Sequence, residues 1–287
     1  MAKQKISLPP SSSAPKRPSS LTFLKFGGSL ITDKSRPSSP RLDVLARLAR
    51  EIAAARAEDA QLRIILGHGS GSFGHIPAKK YGTRTGVATE AEWRGFTEVW
   101  WQAATLNRLV IESLHKAELP AISFPVSAGA MSAHGEFAAW DISPMIAALD
   151  SGLLPVVYGD VVLDKQRGGT IFSTEDIFGY LALKLEPQRI LLAGLEEGVF
   201  ADYPDRHHLI PEITPQNIEQ VAPALSGSAA TDVTGGMASK VNQMLALIEA
   251  KPSIMVSVFS GDKADNVKNA LLGASYGSQI YNNIAAQ

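Results

Sequence analysis

Apolar residues along this chain follow two alternating rhythms. Short, nearly continuous apolar runs at residues 21–26, 62–66, 121–124, 154–158, 189–193 and 253–259 have the length expected of buried strands. Between them, apolar positions return every three or four residues over 42–57, 91–117, 142–150, 176–185, 238–250 and 264–271, the period of a helix with one buried face. The first of these puts Leu42, Leu45, Leu48, Ala49 and Ile52 on one stripe and leaves Arg47, Arg50 and Glu51 off it. Strands alternating with helices predict an α/β fold, with a mostly parallel sheet covered by helices on both faces. Two further runs, 161–163 and 170–172, flank Arg167-Gly168-Gly169 and predict a β-hairpin.

Composition narrows the functional classes. With 45% hydrophobic and 19% charged residues in 287, the chain can bury a sizeable core as one large α/β domain or two small ones. Lys+Arg 27 against Asp+Glu 28 leaves no general field to attract nucleic acid or an anionic membrane, so cationic chemistry must be local. The absence of cysteine excludes disulfides, thiolate nucleophiles and cysteine-ligated metals, and is compatible with a reducing cytoplasm. No apolar run approaches the roughly 20 residues of a membrane-spanning helix. Residues 1–20 stand apart: Pro9-Pro10, Ser11-Ser12-Ser13, four basic residues and no acid predict a disordered Ser/Pro-rich tail, with an organelle transit peptide as the second reading.

Candidate chemistry concentrates in three glycine loops. Lys25-Phe26-Gly27-Gly28-Ser29 ends the first strand run, and Gly67-His68-Gly69-Ser70-Gly71-Ser72-Phe73-Gly74-His75 follows the second. Thr234-Gly235-Gly236-Met237 precedes Lys240 and a helical pattern. Glycine-rich backbone brings N–H groups close to an anion, and parallel sheets hold ligands beyond the carboxyl ends of their strands. Together with Lys25 and Lys240, the loops suggest a polyphosphate held from several sides. His75 can donate to a phosphate oxygen, more strongly when protonated, whereas His68 reads as a structural group on the buried side of its loop.

Other residues admit two readings each. Lys34 is a solvated loop residue or a further cation. Asp160, after Gly159 at the end of the 154–158 run, either caps its own turn or brings a carboxylate to the active edge. Asp176 reads as a helix start with Thr174 as a possible N-cap. Phe96, Trp100 and Trp101 lie at helical spacing, as core packing or as the wall of an apolar pocket. Gly69-Ser70-Gly71-Ser72-Phe73-Gly74 also fits the G-x-G-x-x-G of dinucleotide-binding folds. That fingerprint opens a helix directly, whereas here His75-Ile76-Pro77 follows, and no strand ends in an acid about 20 positions on.

Taken in order, these segments resemble the amino acid kinase superfamily, and within it the isopentenyl phosphate kinases. The resemblance rests on Lys25–Ser29 with Ile31-Thr32-Asp33-Lys34, on His68–His75, on Pro155–Val162, and on Asp232-Val233-Thr234-Gly235-Gly236-Met237 with Lys240. It implies a three-layer αβα sandwich over 21–287, with a phosphate-acceptor lobe at about 21–193 and a nucleotide lobe at about 194–287. It also implies transfer of the ATP γ-phosphoryl to isopentenyl phosphate, with Mg²⁺ carried by ATP and no metal held by the protein itself, in a homodimer. Another small phosphate or phosphonate monoester, such as fosfomycin or a longer prenyl phosphate, is the alternative acceptor.

By matching position, the resemblance makes Lys25, Lys34, His75 and Lys240 catalytic. It assigns Lys25, Gly27, Gly28, Ser29, Gly71, Gly194, Gly236 and Lys240 to ATP, and Ser70, Gly71, His75 and Gly159 to the acceptor. Two departures stand out. Position 70 is Ser where the family usually has Gly, and Glu197-Gly198-Val199-Phe200 replaces Asp-Gly-Val-Tyr.

Overall fold

The computed structural model of the protein describes residues 21–226 and 236–283. The N-terminal tail and Asp232-Val233-Thr234-Gly235 therefore lie outside the described residues. The chain begins with β1 (Leu21–Phe26), α1 (Gly28–Ile31), α2 (Leu42–Glu58), β2 (Arg63–His68), α3 (Gly71–Tyr81) and α4 (Glu90–Lys116). It continues through β3 (Ala121–Ser123), β4 (Ala130–Ala133), β5 (Glu136–Trp140), α5 (Ser143–Asp150), β6 (Leu154–Tyr158), β7 (Asp160–Asp164), β8 (Gly168–Phe172) and α6 (Thr174–Leu185). Then come β9 (Arg189–Gly194), β10 (Val199–Phe200), β11 (Leu209–Ile210), β12 (Glu212–Ile213), α7 (Ile218–Ser226), α8 (Gly236–Ala250), β13 (Met255–Ser260), α9 (Asn266–Leu271) and β14 (Ser278–Ile280).

An eight-stranded sheet in the order β12-β14-β13-β9-β1-β2-β6-β3 forms the middle layer. Within it only β13 and β14 pair antiparallel. Alternation along β1 assigns its side chains to two cores. Phe23 faces a cluster built with α5, α6, α7 and α8, while Leu24 and Phe26 face another built with α1, α2, α4 and α9. This is the expected αβα sandwich. The hairpin of β7 and β8 forms as expected, and belongs to a separate four-stranded sheet with β4 and β5, strands that the apolar pattern does not announce.

Three local expectations are corrected. The second glycine loop does open a helix directly: α3 starts at Gly71 and runs through His75 and Pro77. Close packing sustains it across the proline, since Gly95 of α4 approaches so near that a Cβ there would stand 2.2 Å from Tyr81 Cγ. The N-cap of α6 is Ser173, not Thr174, and Asp176 completes a reciprocal capping box at the third helical position. Glu51, off the apolar stripe of α2, is nevertheless buried, accepting from Arg47 Nη1 at 2.6 Å and from Val267 N at 3.0 Å. It thereby joins α2 to the start of α9.

Candidate active site

The carboxyl ends of β1, β2, β6, β9 and β13 share one edge, and their loops are tied together there by backbone bonds. Gly159 N donates to His68 O at 3.3 Å, Gly69 N to Phe26 O at 3.0 Å, Gly27 N to Ala193 O at 2.8 Å and Gly261 N to Gly194 O at 2.8 Å. The ladder thus continues one step past the strands and fixes each loop relative to the next.

At the centre the first two glycine loops press backbone against backbone. A Cβ on Gly28 would lie 2.5 Å from Gly71 N, and Gly71 has φ +50°, so neither position accommodates a side chain without a shift. Thr32 locks the contact, donating to Gly28 O at 2.7 Å and accepting from Ser72 N at 3.0 Å. Ser70, where the family usually has glycine, has φ −79°, so its side chain costs no backbone strain.

An open cleft of about 230 Å³ lies over this edge. It brings together Lys25, Gly27, Gly28, Ser29, Lys34, Ser70, His75, Gly159, Gly194 and Lys240. Gly71 and Gly236 are buried and stand outside the lining; Gly236 begins α8, the helix that carries Lys240. Val99, Ala103, Ile171 and Met237 add an apolar wall.

Strand register explains the charged centre. Lys25 sits two residues beyond Phe23, on the same face of β1, and Phe23 packs its ring on Phe178 of α6 at 5.0 Å. One helical turn before Phe178 is Glu175, and Lys25 Nζ donates to its Oε1 at 2.5 Å. The neighbour of Lys25 on β2 is Gly67, where a Cβ would meet Thr174 and Phe178 at 2.6–2.7 Å. A glycine there lets α6 approach. Glu175 is the functional candidate that sequence reasoning missed: in Ser173-Thr174-Glu175-Asp176 the capping signal hides it, and only the tertiary pairing identifies it. Burial pushes its carboxyl up, but Lys25 and then Lys240 outweigh that and hold it below its ordinary value.

Several expected candidates fall elsewhere. His68 is fully buried, with Nδ1 3.1 Å from Gly69 O and Nε2 3.2 Å from Asn107 Oδ1, and burial lowers its pKa to about 4. It is the structural group expected. Asp160 is fully buried beneath the cleft rather than presented to it, accepting from Ser127 Oγ at 2.5 Å and from Val161 N at 2.8 Å. Burial raises its pKa to about 6. Trp100 and Trp101 are 42% and 63% exposed, neither core nor pocket wall. The turn of α4 facing the cleft presents Val99 and Ala103 instead, and Phe96 packs under Gly169.

Among the described residues no cluster of three His, Asp or Glu side chains could hold a metal ion, and no helix is long and apolar enough to cross a membrane. The cleft brings together cations and glycine amides, which suit phosphate oxygens, and the carboxylates of Glu175 and Glu196.

Residues 20–259 match the model of the amino acid kinase family. An isopentenyl phosphate kinase of Methanocaldococcus jannaschii is 36% identical over 269 residues, covering 91% of this chain and 98% of that one. One from Methanothermobacter thermautotrophicus is 34% identical over 263 residues, covering 88% and 96%. A crystal structure described as isopentenyl phosphate kinase superposes with a TM-score of 0.76 at 29% identity, over 91% of this chain and 99% of its own. In its matched span, its sandwich fold and its relatives, the chain belongs to the amino acid kinase family and, within it, to the isopentenyl phosphate kinases.

Proposed function

We propose that the protein transfers the γ-phosphoryl group of ATP to the phosphate of isopentenyl phosphate, giving isopentenyl diphosphate and ADP. The observation that carries this reading is the gathering of Lys25, Lys34, Lys240 and His75 around glycine loops in one cleft with an apolar wall. A phosphate acceptor is already an oxyanion, so no general base is required. The barrier lies in bringing two anions into line, and fixed cations lower it by positioning and charge compensation.

In this reading Gly27, Gly28, Ser29, Gly194 and Lys240 serve ATP, with Gly71 and Gly236 shaping the backbone behind them. Ser70, Gly159 and His75 hold the acceptor phosphate, Lys25 and Lys34 steady the migrating group, and Val99, Ala103 and Ile171 take the five-carbon tail. Mg²⁺ enters on the phosphates of ATP as part of that substrate. The lobes meet near residue 194, with the acceptor before it and the nucleotide after it. We further propose a homodimer working in the cytoplasm; the absence of cysteine is compatible with that compartment.

The test is ADP release with MgATP and, in parallel, isopentenyl phosphate, dimethylallyl phosphate, geranyl phosphate or fosfomycin. Strong preference for isopentenyl phosphate is expected. Turnover confined to another acceptor would keep the phosphotransfer chemistry and overturn the substrate.

A further inference from the structure

We propose that Arg84 is an additional ligand of the acceptor phosphate, aimed by Asp176 at the corner of the cleft formed by Gly159 and the first turn of α6; this rests on the proposed kinase function. Arg84 lies in the loop after α3, and its backbone is held firmly. Thr85 N donates to Gly82 O at 2.9 Å, Thr170 Oγ1 to Arg84 O at 3.0 Å and Val87 N to Arg167 O at 2.7 Å, so the loop is clamped to the β7–β8 hairpin. Arg84 lines the same cleft as His75, Gly159 and Ser173.

Its one ion-pair partner among the described residues is Asp176, at 3.3 Å from Nη2. That carboxylate is itself anchored by Ser173 N and Ser173 Oγ, each at 2.8 Å, and by Gln243 Nε2 of α8 at 2.7 Å. Asp176 thus orients the arginine without saturating its five N–H donors. Among the described residues Arg84 Nη1 is buried without a hydrogen-bond partner, and so is Oγ1 of the adjacent Thr83. Buried donors in native proteins are nearly always paired, so an unsatisfied guanidinium donor on a residue that lines the cleft has the chemistry of an anion ligand.

Geometry favours the acceptor end of the cleft. A Cβ on Gly159 would lie 3.6 Å from Thr174 N, so Gly159 borders the same helix start that Asp176 caps. The planar fork of Arg matches two phosphate oxygens, which a lysine meets only as a point charge. A purely structural role is the competing explanation. With side chains 39% and 20% exposed, the pair would contribute little to stability, and Arg84 would then be dispensable.

The experiment compares the wild-type protein with R84Q and R84K. Loss of a charged hydrogen-bond donor to phosphate should raise KM for isopentenyl phosphate by about 10- to 100-fold in R84Q. KM for ATP and the thermal midpoint should stay near wild type, and R84K should recover part of the loss. An unchanged acceptor KM in R84Q, or an equal rise in both KM values, would overturn the proposal. Calorimetric binding of inorganic phosphate in saturating ADP keeps the two ideas separable. If wild type fails to phosphorylate isopentenyl phosphate, the functional reading falls, whereas Arg84 stands if R84Q binds phosphate more weakly and falls if both bind alike.

Discussion

Lys25 and Glu175 are 150 positions apart in sequence and meet at 2.5 Å. Glu175→Gln would remove the carboxylate that Lys25 meets in the buried pair, an effect of about 3–5 kcal/mol for a broken buried pair. Chemical denaturation should register a loss of that order together with a large fall in turnover; unchanged stability would mean that the pair is solvated. His75→Ala should keep ATP binding and lose about 100-fold or more in kcat with isopentenyl phosphate, as charge-assisted contacts to phosphate are strong. Near-normal turnover would remove His75 from the site.

Two other buried groups oppose each other in pH dependence. The pKa of His68 falls from 6.5 to about 4 on folding, so the unfolded chain binds more protons in between. Its contribution is present above pH 6.5 and is lost as pH falls through 4. Asp160 rises from 3.8 to about 6, so its contribution is full below 3.8 and lost as pH rises through 6. Between about pH 4 and 6 the two slopes nearly cancel in the wild type. Asp160→Asn should expose the histidine, costing about 2 kcal/mol on acidification across that window. An equally flat profile in the variant would show that His68 charges without penalty.

At the scale of elements, the long helix and the central strands were legible. The 91–117 periodicity corresponds to α4 at Glu90–Lys116, whose start is fixed by a Thr89/Glu92 capping box. The α3 helix was not legible, because a glycine-rich start and an internal proline argue against a helix locally. Packing against α4 decides it. Gly95→Ala should therefore cost about 1–3 kcal/mol by forcing the Tyr81 ring away, and adding Tyr81→Ala should return part of that. If Gly95→Ala alone is neutral, the two helices are not held at that distance by the glycine. The aromatic residues of α4 teach a related point. Periodicity puts Phe96, Trp100 and Trp101 on neighbouring positions, but which turn faces the cleft depends on where α3 sits.

Across the whole molecule, β9 is flanked by β1 on one side and β13 on the other, so the two proposed lobes share one sheet. Each core also draws on both sides of residue 194: Phe23 and Ile65 share one cluster with Val256, and Leu24 and Leu66 share the other with Phe259. Unfolding should therefore be a single transition. The four tryptophans, Trp93, Trp100, Trp101 and Trp140, all precede residue 194, while far-ultraviolet circular dichroism reports both lobes. Coincident midpoints by fluorescence and dichroism are expected, and separated midpoints would mean that the lobes unfold independently. By itself, the sequence determined the strand–helix alternation, the parallel sheet and the glycine loops at its edge, because apolar period and glycine content are local properties. Only the tertiary structure decided that Glu175 joins the lysines, that Asp160 is buried and that Arg84 reaches the cleft. Those outcomes depend on strand register and helix approach, which bring residues far apart in sequence within a few ångströms.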